Sequence, residues 1–165
     1  MLRRTMLVLA FALASAGTAF AQKSFTVGTA TAAPGQRADG YLGVLAGADA
    51  GTRIPVIVIN GAKPGHVLAL VSGAHGTEYA SIIALEKLIP AIDPSQLSGT
   101  VVLLPLVNVP SFLQKVPHVN PVDNKSMNRY YPGKSDGTQT ERASFLITKE
   151  AVSYTHLTLP TKRIV

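Results

Sequence analysis

Cysteine is absent from the sequence, and charged residues are scarce. Without cysteine there can be no disulfide and no metal site with thiolate ligands, so any metal must be held by histidine and carboxylate side chains. No G-x-G-x-x-G or Walker loop occurs, which leaves nucleotide binding without support. Of the 165 residues, 47% are hydrophobic and 15% are charged. That composition is typical of a globular protein and argues against disorder, and the length suggests one domain.

Most of the excess of positive over negative charge comes from the two ends of the chain. The formal net charge of +6 comes from 15 basic and 9 acidic residues. Four of the basic residues lie in terminal segments that we do not assign to the folded domain, namely Arg3, Arg4, Lys162 and Arg163. Removing these four from the 15 leaves 11 basic residues against 9 acidic ones. So small an excess is no basis for nucleic-acid binding, and we expect no nucleic-acid partner.

Residues 1–21 have the features of a secretory signal peptide. Arg3 and Arg4 precede an apolar stretch over residues 6–17, and the A-x-A pattern of residues 19–21 is typical of a cleavage site. A membrane anchor is the alternative, but the apolar stretch is too short to span a bilayer. We therefore expect an exported protein, located in a bacterial periplasm or secreted, with no stable membrane anchor after signal cleavage.

The last segment of the chain does not look like a natural domain terminus. Residues 152–161 read VSYTHLTLPT, which is also the in-frame translation of a transposon-end sequencing adapter. A natural tail is the alternative, and the length of the match makes it the weaker one. We therefore interpret residues 152–165 as a non-native tail and residues 22–151 as the N-terminal portion of a longer domain.

Apolar runs alternate with a helical pattern in the middle of the chain. Buried strands are predicted for three β-branched or leucine-rich runs, at residues 54–59, 67–71 and 100–107. Residues 79–89 have apolar positions at helical spacing, and Pro90 is expected to end that helix. Continuous apolar strands that alternate with helices predict an α/β sheet covered on both faces.

The third strand is followed by a long segment with little periodicity. Residues 108–137 are rich in Pro, Asn, Asp and Lys and predict a long loop, which inside a compact domain is usually functional. Residues 137–150 predict a second helix, with Thr140 as its N-cap and Glu141 in its first turn.

A histidine and a glutamate stand three positions apart directly after the second predicted strand. Residues 73–78 read GAHGTE and contain His75 and Glu78. A neutral imidazole and a carboxylate together suit zinc, and the glycines allow the tight turn that brings both side chains to one ion. The H-x-x-E pattern alone is common by chance. The alternative is a histidine that caps a turn and a glutamate in the first turn of a helix.

A second polar segment lies in the long loop. Residues 120–133 read NPVDNKSMNRYYPG and place Asn128 beside Arg129. An arginine next to an asparagine on a structured loop can bind a substrate carboxylate through two hydrogen bonds. A solvated basic loop is the alternative, but the combination with GAHGTE and with LLPLVNVPSF between them is hard to attribute to chance.

Taken together, these segments resemble the succinylglutamate desuccinylase/aspartoacylase family, a branch of the zinc carboxypeptidase-like hydrolases. That family has a G-x-H-G-x-E metal motif after a strand and a D-x-x-x-x-N-R-x-x-P-G loop further on. The resemblance covers residues 54–151 and implies a mixed, mostly parallel sheet flanked by helices, of which this chain would hold the N-terminal part. The positions that fit the loop and the start of the next helix are Asp123, Asn128, Arg129, Pro132, Gly133, Thr140, Glu141 and Arg142.

The resemblance also implies a role for each matching residue. His75 and Glu78 would be two of three protein ligands to a Zn²⁺ ion, and Asn128 and Arg129 would bind the substrate carboxylate. The family commonly has an arginine before the Asn-Arg pair that assists the scissile carbonyl. Here no arginine occurs in that stretch, and its basic residues are Lys115 and His118. The chain thus departs from the family at this position, and we assign Lys115 to substrate binding. The third ligand, a histidine, and the general-base glutamate are expected beyond residue 151.

The activity that the resemblance implies is zinc-dependent hydrolysis of an amide bond, or of an ester bond, in a small carboxylate-bearing substrate. The reaction would be of the deacylase type, and the chain itself is expected to be inactive. One alternative is an exported zinc carboxypeptidase or peptidoglycan-peptide amidase. The shape and chemistry of the substrate pocket would distinguish these enzymes from a deacylase. Another is a non-catalytic exported binding module on the same scaffold, which could lack the later histidine and glutamate.

Overall fold

The computed structural model describes residues 22–155 of the chain. The expected signal peptide and residues 156–165 of the expected tail lie outside this range. Six strands and three α-helices are formed: β1 (Phe25–Val27), β2 (Ala30–Ala32), β3 (Gln36–Val44), β4 (Thr52–Asn60), β5 (Lys63–Val71), α1 (Tyr79–Ala91), β6 (Ser98–Leu104), α2 (Val109–Gln114) and α3 (Gln139–Glu150). Two short 3-10 turns cover Met127–Arg129 and Val152–Tyr154. No helix among the described residues is both long enough and apolar enough to cross a membrane.

The main sheet has four strands in the order β3-β4-β6-β5. β6 lies between β4 and β5, although both of those strands precede it in the chain. It pairs antiparallel with β4 and parallel with β5, while β3 pairs antiparallel with β4. The expected mixed α/β sheet is therefore confirmed, and one of its three pairings in this part of the chain is parallel. α1 supplies the crossover that a parallel pair needs.

The central strands β4 and β6 are buried on both faces. Successive side chains of a strand point to opposite faces, so each apolar run supplies two layers. One face carries Ile57, Ile59, Val101 and Leu103, and it packs against three residues of α1, namely Leu85, Leu88 and Ile89. The opposite face packs against the β1-β2 hairpin and α3, through Val56, Val58, Val102, Leu104, Ala143 and Ile147. Burial on both faces explains why these strands read as continuous apolar runs.

The helices differ from the sequence predictions in three respects. α2 lies inside the segment that was predicted to be one long loop. α3 is capped by Thr138, not by Thr140, and the cap is a capping box with Glu141. α1 continues through Pro90 and ends one residue later, because a proline in the last turn disturbs few of the helix's hydrogen bonds.

Glu141 connects the start of α3 with the long loop. Its Oε2 accepts hydrogen bonds from Lys125 Nζ at 2.9 Å and from the Thr138 backbone N–H at 3.0 Å. These bonds, the one from Lys125 first, lower the pKa of Glu141 from 4.5 to about 2. Because the folded state has the lower pKa, the stabilisation is fully present above pH 4.5. It is lost as the pH falls from there toward about 2.

Glu141→Gln is expected to make the stability less sensitive to acid. The free energy of unfolding, measured in urea above and within this pH window, should fall less on acidification in the variant than in the unchanged chain, because glutamine has no proton to take up. Glu150→Gln serves as the control, since among residues 22–155 the ion pair of Glu150 is with its neighbour Lys149, at 3.3 Å. If Glu141→Gln and the unchanged chain lost the same stability on acidification, the acid-dependent stabilisation could not be attributed to Glu141.

Candidate metal and substrate site

Two polar loops meet at the carboxyl ends of β5 and β6. These strands are parallel neighbours, so the residues that follow them emerge at the same edge of the sheet. The backbone N–H of Val107 donates to the Ser72 carbonyl at 3.0 Å, and that of Asn108 donates to the Gly73 carbonyl at 3.0 Å. The loop after β5, which contains His75, is thereby held against the segment that leads into α2.

Asn108 is fully buried and joins the two loops through its side chain. Its Nδ2 donates to the Ala74 carbonyl at 3.0 Å, and its Oδ1 accepts from the Ser111 N–H at 3.3 Å, which caps α2. The Ser111 hydroxyl in turn accepts the Gly76 N–H at 2.9 Å. Asn108 and Ser111 are thus supporting residues of the His75 loop. Their sequence signal is an asparagine N-cap followed by a proline in the first helical turn.

His75 and Glu78 lie next to each other at the entrance of α1. Nδ1 of His75 is 2.8 Å from Oε1 of Glu78. The histidine side chain is 15% exposed and the glutamate side chain 57% exposed, so the pair is reached from solvent on the carboxylate side. Of the residues named from the sequence, these two are brought together most closely.

The long loop reaches the other side of the His75 ring. Nε2 of His75 is 3.2 Å from the Ser126 hydroxyl, which donates to Oδ1 of Asn128 at 2.8 Å. The His118 ring packs edge-on against the His75 ring, with centroids 5.4 Å apart and planes at 84°. Ser126 was not singled out from the sequence, because a lone serine has no distinctive chemistry there.

The expected substrate-binding residues differ in their distance from this pair. Asn128 and Arg129 lie in the 3-10 turn, are exposed, and follow the buried anchor Met127. Asn128 is linked to His75 through the hydroxyl of Ser126. Lys115 is exposed at the end of α2, where its backbone is left-handed with φ 56°. Of the two basic residues in this stretch, Lys115 and His118, it is His118 whose side chain contacts His75.

The long loop is fixed in place by its contacts with α3. The Asp123 carboxylate accepts from the Thr140 hydroxyl at 2.8 Å and from the Thr140 N–H at 2.9 Å. Nδ2 of Asn120 donates to Oε1 of Gln139 at 2.8 Å. Thr140, the residue expected to cap α3, therefore holds the loop instead, and Asp123 sets the position of the segment that carries Asn128.

The donor pair of His75 and Glu78 fits a zinc ion. Bonds of the usual length at a tetrahedral angle would separate the two donor atoms by about 3.4 Å. The observed separation of 2.8 Å is a hydrogen-bond distance, so the two side chains would have to move slightly apart to bind an ion. An imidazole nitrogen and a carboxylate oxygen are also among the ligands that zinc prefers. Residues 22–155 contain no group of three or more His, Asp or Glu side chains that could hold a metal. If His75 and Glu78 bind zinc, this range would supply two of the three or four donors that zinc requires.

Comparison with known proteins identifies the family. Residues 64–165 match the model of the succinylglutamate desuccinylase/aspartoacylase catalytic domain. The chain belongs to this family. The resemblance seen in the sequence motifs is thereby confirmed. The family consists of deacylases, hydrolases that act on amide bonds.

A curated relative shows how much of a full-length protein the chain spans. The N-alpha-acetyl-L-2,4-diaminobutyric acid deacetylase of Halomonas elongata is 32% identical over 106 residues. The match covers 64% of this chain but 30% of the deacetylase. The chain thus spans about a third of the length of this relative.

Solved structures of the family share the fold. An aspartoacylase family protein from Mesorhizobium loti superposes with a TM-score of 0.67 at 28% identity, over 72% of this chain and 38% of that one. A succinylglutamate desuccinylase/aspartoacylase from Rhodobacter sphaeroides gives 0.65 at 28% identity, over 72% and 37%. The product-bound ectoine utilization protein EutE (DoeB) from Ruegeria pomeroyi gives 0.64 at 25% identity, over 72% and 37%.

Proposed function

We propose that the chain forms part of a zinc-dependent deacylase that hydrolyses an amide bond in a small carboxylate-bearing substrate. The observation that carries the proposal is the convergence of His75 Nδ1 and Glu78 Oε1, 2.8 Å apart, at the end of β5. Ligands at the carboxyl ends of strands in open α/β sheets face a crevice that substrates can enter. Family membership supports deacylation of a small molecule over the carboxypeptidase, peptidoglycan amidase and binding-module alternatives.

In this proposal, the residues of the chain hold the metal and orient the substrate. His75 and Glu78 are two of the zinc ligands, and the edge-on contact with His118 restricts movement of the His75 ring. When bound, zinc supplies Lewis acidity toward the amide carbonyl and toward water. The remaining ligand and the general base are assigned to residues outside the range 22–155, as the family resemblance implies.

The proposed substrate is an N-acyl amino acid or a related carboxylate. Asn128 and Arg129 are adjacent and exposed beside the His75 loop, so an amide donor and a guanidinium can grip the two oxygens of a carboxylate. The Halomonas relative is named for the deacetylation of an acetylated amino acid, which is a substrate of this kind. Lys115 is retained as a further cation for substrate binding.

Metal removal tests the zinc requirement directly. The complete protein that carries this chain would be assayed for amine release from N-acetylated and N-succinylated amino acids, before and after dialysis against a chelator. Activity is expected to disappear with the bound zinc and to return when zinc is added back. Full turnover in protein shown by elemental analysis to be free of metal would refute the proposal.

Arg129→Ala is expected to raise KM for a carboxylate substrate. Hydrogen bonds to charged groups are worth about 1.5–3 kcal/mol, which corresponds to an increase of about 10- to 100-fold. An analogue with an amide in place of the carboxylate should bind the variant and the unchanged protein alike. Arg37→Ala is the control, because Arg37 lies on β3 and donates to the Ile89 carbonyl, away from the site. A KM that does not depend on Arg129 would exclude its role in carboxylate binding.

A further inference from the structure

The backbone of His118 forms a γ-turn beside the proposed site. Its φ is 65°, and the Val119 N–H donates to the Pro117 carbonyl, two positions back, at 2.8 Å. A γ-turn with a positive φ at its central residue is rare and strained. Glycine would adopt this conformation without the clash of a Cβ atom. Strained backbone of this kind clusters at active sites and ligand-binding sites, so a histidine at this position points to a function for its side chain.

The γ-turn is fixed at both ends by the fold. Before it, the Val116 N–H donates to the Ser111 carbonyl at 3.0 Å, and the Ser111 hydroxyl donates to the Val116 carbonyl at 2.6 Å. After it, the buried side chain of Asn120 donates to α3 at 2.8 Å. Ser111 also accepts from the loop that carries His75. His118 and His75 are therefore positioned by a common support, and the strain is maintained by the contacts around the turn.

The imidazole of His118 is available to a ligand. The side chain is exposed, and its ring meets the His75 ring edge-on, with centroids 5.4 Å apart. Both ring nitrogens of His75 lie within hydrogen-bond distance of partners, namely Glu78 and Ser126. The ring nitrogens of His118, in contrast, make no hydrogen bond within residues 22–155. A strained, exposed and unpaired polar side chain thus adjoins a residue proposed to bind zinc.

The chemistry of amide hydrolysis gives such a side chain a role. Negative charge develops on the carbonyl oxygen as water adds, and a donor that is already in place stabilises that charge without reorganisation. An imidazole has at least one N–H whether it is neutral or protonated, so it can serve as this donor in both states. Asn128 and Arg129 are already assigned to the substrate carboxylate.

Resting on the proposed function, we propose that His118 is a catalytic residue that donates a hydrogen bond to the carbonyl oxygen of the scissile amide. The hydrogen stays on the imidazole, and no proton is transferred in this contact. The γ-turn holds the ring at the edge of the site before the substrate arrives, which is what a preorganised donor requires.

The test compares His118→Ala with His118→Asn in the complete protein, with zinc in excess. One donor to a developing oxyanion contributes about 100- to 1,000-fold to kcat, so His118→Ala should lose about that much, with little change in KM. Affinity for a phosphonate analogue of the tetrahedral intermediate should fall in parallel, because the analogue carries the same negative oxygen. Asparagine tolerates a left-handed backbone and has an amide donor, so His118→Asn should recover part of both losses.

Two further measurements exclude a merely structural role for His118. Competition with a chromophoric chelator should show zinc affinity lowered at most about tenfold in His118→Ala, the contribution of one aromatic contact. His118→Gly should unfold at a higher urea concentration than His118→Ala, because glycine relieves the strain at φ 65°, yet its kcat should be equally low. His66→Ala, at an exposed histidine on β5, is the control and should keep full kcat and analogue affinity.

The outcomes separate this inference from the proposed function. Unchanged kcat and analogue affinity in His118→Ala would overturn the inference while zinc-dependent hydrolysis stands. A loss of zinc affinity as large as the loss of kcat would also overturn it, since His118 would then act through His75. If the unchanged protein hydrolysed no N-acyl amino acid with zinc bound, the proposed function would fail, and the inference would fail with it.

Discussion

His75→Ala is expected to abolish zinc binding and nearly all hydrolysis in the complete protein. The variant loses the nitrogen that lies 2.8 Å from the Glu78 carboxylate, and one carboxylate does not hold zinc at the concentrations used in assays. Lewis-acid assistance contributes several kcal/mol to the transition state, so kcat/KM should fall by roughly a thousandfold or more. Zinc content by elemental analysis and turnover of an N-acyl amino acid measure the two effects separately.

His66→Ala is the matched control for this experiment. His66 is an exposed histidine on β5 itself, the strand that leads to His75, so the same substitution is made on the same element outside the site. Its zinc content and turnover should match those of the unchanged protein. If His75→Ala retained full zinc content and turnover, the zinc assignment would have to be abandoned.

Gly76→Ala is expected to destabilise the protein and to displace His75. A Cβ at this position would lie 2.1 Å from the backbone N of Phe112 and 2.7 Å from its Cα. These are backbone atoms within α2 and cannot rotate away, so the loop and the helix must separate. The hydrogen bond from the Gly76 N–H to the Ser111 hydroxyl would be lost as well. We expect a loss of about 1–3 kcal/mol in the free energy of unfolding, the usual range for overpacking, together with weaker zinc binding.

Gly43→Ala provides the comparison for Gly76→Ala. A Cβ at Gly43 would meet only the edge of the Tyr41 ring, at an ordinary distance of 3.9 Å. Its effect on stability should stay within about 0.5 kcal/mol, and zinc binding should not change. Chemical denaturation and zinc titration of both variants measure the difference. Equal stability and zinc affinity in the two variants would show that the loop does not need glycine at position 76.

The local pattern around His75 was predictable because it depends on short-range geometry. A strand of β-branched and leucine residues, a glycine-bounded turn and a helix start follow each other within a few positions, so His75 and Glu78 are forced onto one short loop. The glycines serve two different needs. Gly73 has a left-handed backbone with φ 69°, whereas Gly76 allows the close approach of α2.

The segment between β6 and α3 was harder to interpret. α2 has six residues, too few for a stable helix by itself, and its cap and anchor come from Asn108 and Ser111. The loop that follows has no hydrophobic periodicity because its order comes from side-chain hydrogen bonds to α3, such as those of Asp123 with Thr140. Contacts of this kind join residues far apart in sequence and leave no periodic signal.

By itself, the sequence determined three of the six strands, the first helix and the third, the family motifs and the closeness of His75 to Glu78. Each of these follows from hydrophobic spacing or from residues within one turn of each other. The run at residues 67–71 was predicted to be buried, but β5 is an edge strand of the described sheet, and Leu68 and Val71 are exposed. Only the tertiary structure decided that β6 enters between β4 and β5, and that Ser126 and His118 reach the His75 ring. The physical reason is that strand order and contacts across 51 positions depend on how buried faces pack and how distant loops find hydrogen-bond partners, which local residue patterns do not encode.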